Sequence, residues 1–136
     1  RIKEHFDAGY CDEKSTMDTI KNIFARHGYL TDTHTAVAIY VYEQYRKRTG
    51  DLTKTVIAST ASPYKFSESV LNSLTDIKGH ESADDFDMIE RLYSISNLAK
   101  PYGLTSLKDK EVRFNNSCDK DKMQDMLFEF LSKNKG

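Results

Sequence analysis

Two short segments of this sequence place polar side chains at positions where α/β proteins often build a functional site. Residues 32–37 read D-T-H-T-A-V, and residues 59–66 read S-T-A-S-P-Y-K-F. The first segment has the pattern of an entry into a buried helix, and the second has the pattern of the end of a buried strand. Because open α/β sheets hold their ligands at the carboxyl ends of strands and in the adjoining loops, the two segments together predict one part of an enzyme site.

Thr60 is the first candidate for a binding role, because it directly follows the predicted strand. A hydroxyl group at the carboxyl end of a strand can form a hydrogen bond with a ring nitrogen of a ligand. The competing interpretation is that Ser59, Thr60 and Ser62 only satisfy backbone groups in a turn before Pro63. From the composition alone, this second interpretation is favoured.

Asp32, His34 and Thr35 lie at the predicted start of a helix. Asp32 or Thr33 can cap the helix, and the positive end of the helix dipole can also receive a phosphate or carboxylate; capping alone is favoured. For His34, a buried and hydrogen-bonded imidazole is favoured over a general base, because the sequence shows no partner for it. Lys65 could form a Schiff base, but a solvated lysine beside Tyr64 is favoured.

The composition favours one soluble domain and disfavours several classes of partner. The chain has 136 residues, and its 20 basic and 21 acidic residues are spread along the whole length. It therefore lacks the basic face that nucleic-acid binding requires, and no apolar run approaches the roughly 20 residues that span a membrane. Cys11 and Cys118 have no partners at metal-site spacing, which favours reduced thiols, no metal and a cytoplasmic location.

The apolar spacing predicts about five helices and two short strands, a helix-rich α/β arrangement. The predicted helices cover residues 12–27, 33–49, a short stretch from 66, 82–98, and a final stretch after Ser117 or Asp119. Residues 79–82 are expected to form a loop or linker. The predicted strands cover residues 53–59 and 110–114, and the first of these is expected to have neighbouring strands upstream, because a covered strand seldom stands alone.

Four expectations concern which side chains these elements bury. The first half of the helix at residues 33–49 is expected to be buried nearly all round. The short helix should turn three residues inward, namely Val70, Leu71 and Leu74. The helix at residues 82–98 should place four residues on one face, namely Phe86, Ile89, Leu92 and Tyr93. The final helix has the cleanest apolar stripe, formed by Met123, Met126, Leu127, Phe130 and Leu131.

These segments match a known family. Residues 28–37, G-Y-L-T-D-T-H-T-A-V, resemble the G-Y-x-x-D-P-H-T-A-V stretch of threonine synthases, and residues 60–66, T-A-S-P-Y-K-F, resemble their T-A-(H/S)-P-x-K-F stretch. The order and the spacing fit, and residues 20–21 and 112–114 extend the likeness across the chain, which corresponds to the C-terminal portion of the enzyme. Thr33 stands where the family has proline, so the geometry of its neighbours on either side stays open.

The resemblance implies a pyridoxal-phosphate enzyme of fold type II, the tryptophan-synthase-beta-like fold, with residues 1–136 as a single C-terminal segment. It implies a carbon-oxygen lyase reaction that converts O-phospho-L-homoserine and water to L-threonine and phosphate in threonine biosynthesis. It also implies that Thr60 hydrogen-bonds to the pyridine nitrogen of the cofactor. No catalytic residue is assigned, and Asp32, His34 and Thr35 are expected only to lie near the site.

A pyridoxal-phosphate enzyme also needs a Schiff-base lysine and a phosphate-binding loop, and the single, scattered glycines form no such loop. The chain opens with arginine rather than methionine. We therefore expect a fragment whose lysine and phosphate loop lie upstream, which is inactive and free of cofactor on its own and which self-associates. Two alternatives stay open: a helical interaction or regulatory module without catalytic ancestry, and another pyridoxal-phosphate lyase of the same fold.

Overall fold

The chain folds into helices joined by irregular connections. The computed structural model describes residues 2–75 and 84–133. The helices are α1 (Ile2–His5), α2 (Glu13–His27), α3 (Thr33–Thr49), α4 (Ser67–Leu74), α5 (Asp85–Ser96), α6 (Tyr102–Thr105) and α7 (Met123–Lys133), with 3-10 turns at Pro63–Phe66 and Lys120–Lys122. Of the described helices, none is both long enough and apolar enough to cross a membrane.

Helices α2 and α3 begin and end where predicted, because the residues at their ends supply the missing hydrogen bonds. Asp12 caps α2 by accepting a hydrogen bond of 2.7 Å from the backbone N–H of Ser15, and Asp32 caps α3. Gly28 and Gly50 end the two helices with φ of 61° and 70°, a left-handed conformation that glycine adopts without strain. The predicted boundaries of both helices are confirmed.

The core lies where α2, α3, α4 and α5 meet. α2 packs against both α3 and α4, and α4 packs against α5. The apolar side chains buried at these contacts are Ile20, Leu30, Ala36, Tyr64, Val70, Ile89 and Leu92. Their removal from water is the main source of stability for an arrangement of this kind.

The inward faces of α4 and α5 largely follow the predicted pattern. Val70 and Leu71 are buried as predicted, and Leu74 is half-buried against the core. Leu92 is also buried as predicted, whereas Tyr93, predicted on the same face, is exposed. α5 starts at Asp85, and the predicted start of this helix at residue 82, like the predicted loop at 79–82, lies outside the described residues.

Tyr64 joins the 3-10 turn at Pro63–Phe66 to the rest of the core. Its side chain is almost fully buried, and its hydroxyl donates a hydrogen bond to the carbonyl oxygen of Leu98. Burial raises the pKa of Tyr64, so the phenol stays protonated and remains a donor at neutral pH. The turn that follows the second polar segment therefore has a fixed position on the helical core.

The two predicted strands are not formed, and the described residues fold as helices rather than as an α/β unit. Residues 53–59 and 110–114 have no regular secondary structure, and Val56, predicted to be covered, is 95% exposed. A β-strand requires a neighbouring strand to accept and donate its backbone hydrogen bonds. Within residues 2–75 and 84–133 the two segments do not pair with each other or with any other strand. The five predicted helices correspond to α2, α3, α4, α5 and α7, and the described residues also contain the short helices α1 and α6, which were not predicted.

Helix α3 is less buried than predicted. Thr35 and Ala36 are buried, but Ala38 is exposed and residues 39–42 are only half-buried. The reason is that α2 is the helix that packs most extensively against α3, while other sides of α3 meet irregular segments, the N-terminal segment among them. There, a Cβ added to Gly9 would lie 2.9 Å from a methyl group of Val41. The expectation of burial nearly all round is therefore wrong.

The cap of α2 gives a pH-dependent prediction. Hydrogen bonds from the side chain and the backbone of Ser15 lower the pKa of Asp12. The stabilisation by this carboxylate is therefore complete above the ordinary aspartate pKa of about 3.9, and it is lost as the pH falls through the lower folded-state pKa. We expect the variant Asp12→Asn to be less stable than the unmodified chain at pH 6, and the difference to shrink towards pH 2.5.

The measurement is the midpoint of urea denaturation at both pH values. Comparing the two chains at each pH removes the contribution of the other carboxylates, which titrate in both. A difference between the chains that stays constant from pH 6 to pH 2.5 would contradict the assigned role of the Asp12 carboxylate.

Candidate functional site

The two polar segments lie against each other in the folded chain. The hydroxyl oxygens of Thr35, in the first turn of α3, and Ser59 are 3.2 Å apart. The hydroxyl of Tyr29 donates to the same Ser59 oxygen across 3.3 Å. The structure therefore brings the start of α3 to the residues just before Thr60. We call Tyr29, Asp32, Thr35 and Ser59 the polar cluster.

Asp32 is the anchor of the polar cluster, and its side chain is fully buried. One carboxylate oxygen, Oδ1, accepts hydrogen bonds from the backbone N–H groups of His34 at 2.9 Å and Thr35 at 3.2 Å. The other oxygen, Oδ2, accepts the hydroxyl proton of Thr35. Capping by Asp32 is confirmed. Because the carboxylate already occupies the positive end of the helix, the arrangement disfavours a second anion at the same N–H groups.

His34 differs from its predicted environment. Its side chain is 67% exposed, so the prediction of a buried imidazole is wrong. The ring packs on Phe66 with 4.9 Å between ring centroids, and Nδ1 lies 3.5 Å from Oδ1 of Asp32. The imidazole protrudes because His34 lies about 200° around α3 from the fully buried Ala36. It is placed where a group from solvent or from another chain can reach it.

Thr60 is exposed and takes no part in the polar cluster. Among the described residues, its hydroxyl has no hydrogen-bond partner. The competing interpretation was that the hydroxyl groups of this segment only satisfy backbone groups in a turn. It holds for Ser62, whose oxygen accepts the backbone N–H of Tyr64 at 3.3 Å. It does not hold for Ser59, whose hydroxyl contacts Thr35 instead. Lys65 is exposed, as predicted.

Two features of the polar cluster were not predicted from the sequence: the membership of Tyr29, and the contact by which Ser59 links the two polar segments. Tyr29 lies in the G-Y pair that ends α2, and its ring is 49% exposed while its hydroxyl reaches Ser59. The residues around Tyr29 in the sequence do not indicate this contact, because a contact between residues 30 positions apart depends on how α3 packs. The available sign was Thr35, since the residue three positions after a capping residue lies within reach of the capping side chain.

The polar cluster provides hydroxyl groups and one accessible imidazole on an open surface. The described residues contain no group of three or more His, Cys, Asp or Glu side chains placed to hold a metal ion. A cleft of about 650 Å³ lies between α2 and α3, lined by Arg26, Arg46 and Lys47 among others, and it contains no member of the polar cluster. The geometry is therefore that of one side of a site rather than an enclosed pocket.

Comparisons with known proteins give the family. The family model "Threonine synthase, C-terminal" matches residues 35–125, about two thirds of the chain. The protein "Threonine synthase-like 1" of Homo sapiens is 30% identical over 74 residues, which are 54% of this chain and 10% of that protein. Proteins of the same description from Pongo abelii and Macaca fascicularis are 30% and 28% identical over the same shares.

The match to these curated relatives thus spans about a tenth of their length. The family model, in contrast, covers more than half of this chain and includes both Thr35 and residues 59–66. The resemblance stated from the two polar segments is therefore confirmed, and the chain belongs to the threonine synthase C-terminal family.

Proposed function

We propose that this chain is the C-terminal segment of an enzyme that converts O-phospho-L-homoserine and water to L-threonine and phosphate. The observation that carries the proposal is the contact between Thr35 and Ser59, which joins the two motif segments inside the region matched by the family. A motif pair that is distant in sequence and adjacent in space is what one side of a shared site requires. The ligands that this side would meet are proposed to be pyridoxal phosphate and the substrate.

Thr60 is the proposed partner of the cofactor's pyridine nitrogen. Its hydroxyl is exposed and not used by another described residue, so it fits the role of a donor to an incoming ring nitrogen. A neutral hydroxyl pairs with an unprotonated nitrogen, whereas a carboxylate would favour the protonated ring. When bound, pyridoxal phosphate supplies the electron sink for carbanion chemistry, and Thr60 would hold the ring and set its charge.

The residues at the start of α3 are proposed to lie near the substrate without a catalytic assignment. Asp32 and Thr35 are buried in hydrogen bonds, whereas the imidazole of His34 faces outwards. A solvent-facing imidazole can form a hydrogen bond with a polar group of a ligand. His34 is thus the member of this group that can reach a ligand directly.

The Schiff-base lysine and the phosphate cradle are proposed to come from other parts of the enzyme. Gly28 and Gly50 serve as helix ends, and Lys65 is a solvated side chain. Those other parts are also proposed to contain a sheet of the tryptophan-synthase-like fold. Residues 53–59 would join this sheet as a strand, and the sheet would cover Val56. This chain alone is therefore proposed to be inactive and to bind no cofactor.

Two further proposals concern the isolated chain. The exposed apolar side chains of α7 support self-association. The cysteines, Cys11 and Cys118, are free thiols, which supports a cytoplasmic location.

The test of the proposed function uses the intact enzyme that contains this chain, with phosphate and threonine measured from O-phosphohomoserine. We expect Thr60→Ala to lower kcat about tenfold, the loss of one hydrogen bond worth about 1.4 kcal/mol, and to shift the absorption maximum of the bound cofactor. Thr60→Ser should keep both values. The matched control is Thr55→Ala, an exposed threonine of the same segment, and the 136-residue chain alone should form no threonine.

The outcomes separate the competing interpretations. Unchanged turnover and an unchanged cofactor spectrum in Thr60→Ala would remove Thr60 from the site. Release of phosphate without threonine would favour another lyase of the same fold. An intact protein that neither binds the cofactor nor consumes the substrate would favour the non-catalytic interaction module.

A further inference from the structure

We propose that the polar cluster is a directional hydrogen-bond chain, from Tyr29 through Ser59 and Thr35 to Asp32, that holds Thr60 in position. The oxygen–oxygen distances are 3.3 Å between Tyr29 and Ser59 and 3.2 Å between Ser59 and Thr35, and Thr35 is bonded to the carboxylate of Asp32. The inner end is buried, with Thr35 4% and Asp32 0% exposed, and the outer end reaches the surface at Tyr29.

The direction of the hydrogen-bond chain follows from counting the hydroxyl protons. A hydroxyl has one proton to donate, and an aspartate carboxylate can only accept. Thr35 donates its proton to Oδ2 of Asp32, so across the 3.2 Å contact it must accept from Ser59. Ser59 in turn accepts from Tyr29. Every hydroxyl then donates towards the buried negative charge, and each bond polarises and strengthens the next.

This series of hydrogen bonds is the tether of a segment that has few other hydrogen bonds. Residues 51–60 have no regular secondary structure and are mostly exposed. Among the described residues, the hydrogen bonds of residues 56–60 are those of the Ser59 hydroxyl. Asp51 is separately hydrogen-bonded to Tyr45 and Arg46 of α3, and the backbone is fixed again at the buried Pro63 and Tyr64. Between these two anchors, the Ser59 side chain provides the hydrogen bond that holds residues 56–60 to α3, through Thr35 and the buried cap Asp32.

Thr60 is the residue that this tether places. It follows Ser59 directly, at a Cα–Cα distance of about 3.8 Å, so fixing Ser59 restricts how far the Thr60 hydroxyl can move. Asp32, Thr35 and Ser59 are thus positioning residues that act through the backbone without touching a ligand. The functional meaning of this tether rests on the proposed role of Thr60, but its existence does not.

The experiment measures backbone order by ¹⁵N relaxation on the full 136-residue chain without cofactor. In the unmodified chain, the order parameters of Ser59 and Thr60 are expected near 0.8; in Thr35→Val, which keeps the shape and removes the hydroxyl, they should fall below about 0.6. Thr35→Ser should restore them. Thr33→Val is the matched control, because Thr33 lies in the same helical turn outside the polar cluster.

A second variant keeps the test decisive if Thr35→Val does not fold. Ser59→Ala lies on the exposed segment and removes the link without touching the core, so it should give the same loss of order at Thr60. Unchanged order at residues 59 and 60 in both Ser59→Ala and any folded Thr35 variant would overturn the inference.

The intact enzyme gives the functional readout. Ser59→Ala there should lower kcat and shift the absorption maximum of the cofactor, with the KM for substrate nearly unchanged. Loss of order in the isolated chain together with an unaltered cofactor spectrum in the intact enzyme would support the tether and reject the proposed role of Thr60. Retained order at Thr60 would reject the tether whatever the enzyme does.

Discussion

Replacing Asp32 by alanine is expected to lower the free energy of unfolding by about 2–4 kcal/mol. The fully buried carboxylate accepts the backbone N–H groups of His34 and Thr35 and the hydroxyl proton of Thr35. Alanine leaves the two backbone N–H groups without their acceptor, and the Thr35 hydroxyl keeps only the Ser59 oxygen within reach, at 3.2 Å. Loss of an ordinary cap costs about 0.5–2 kcal/mol, and leaving a buried backbone donor unsatisfied adds about 1–3 kcal/mol, with incomplete additivity.

Urea denaturation of the isolated chain measures this loss, provided that the m-value stays constant. Asp32→Asn should lose less than Asp32→Ala, because the amide oxygen can still accept the two backbone N–H groups. Asp12→Ala is the matched control at the start of α2: it should also lose less, since its cap is exposed and water can replace the carboxylate. A loss below about 0.5 kcal/mol in Asp32→Ala would contradict the assigned role.

The helices could be predicted from the sequence because their signals are local. Asp32 and Gly50 mark the start and the end of α3, and each acts on backbone groups within one turn. The apolar positions of α4 similarly gave the buried pair Val70 and Leu71. Caps and helical periodicity depend on residues three or four positions apart, so they can be recognised without knowing how distant parts of the chain pack.

The candidate site was less predictable because its geometry depends on contacts between distant residues. Thr35 and Ser59 were found in separate motifs, but their 3.2 Å contact required the packing of α3 beside residues 51–60. His34 was predicted to be buried, but its side chain is exposed, because the capping residue Asp32 lies on the buried side of the helix start and His34 does not. The family resemblance placed these residues in one region of an enzyme, while the hydrogen-bond order came only from the structure.

The missing strands have the same physical origin. Val56 lies in an apolar run that is typical of a covered strand, yet it is 95% exposed. Strand formation needs hydrogen-bonding neighbours, which cannot be read from the strand's own residues. An apolar run without a neighbour in the described residues leaves apolar surface in water, and α7 presents the same situation on a larger scale.

Helix α7 has the apolar stripe that the sequence predicted, and four of its five side chains are exposed: Met126 is half-buried, whereas Met123, Leu127, Phe130 and Leu131 are between 51% and 61% exposed. Phe128, on another side of α7, is 60% exposed. The main contacts of α7 are with the adjoining turn at Lys120–Lys122 rather than with the helical core. A stripe of this width is typical of a helix that packs against another element, so water is an unfavourable neighbour for it.

We therefore expect the isolated chain to self-associate through α7, and Phe130→Asp to raise the dissociation constant about 100-fold. Burying a phenylalanine is worth about 1.5–3 kcal/mol, and a carboxylate at the same place must be desolvated. Sedimentation equilibrium over a range of concentrations gives the dissociation constants. The matched control is Ser132→Asp, which adds the same charge about 200° around the same helix, away from the stripe, and should leave association unchanged.

The two variants together separate a specific apolar contact from general repulsion between charged chains. If both weaken association equally, net charge rather than the stripe controls it, and α7 is not the contact surface. If the unmodified chain is a monomer at high concentration, its apolar stripe is tolerated in water, and the exposed side chains of α7 do not drive association. Weakening by Phe130→Asp alone locates the contact on the stripe, since only that variant places a carboxylate where another apolar surface must dock.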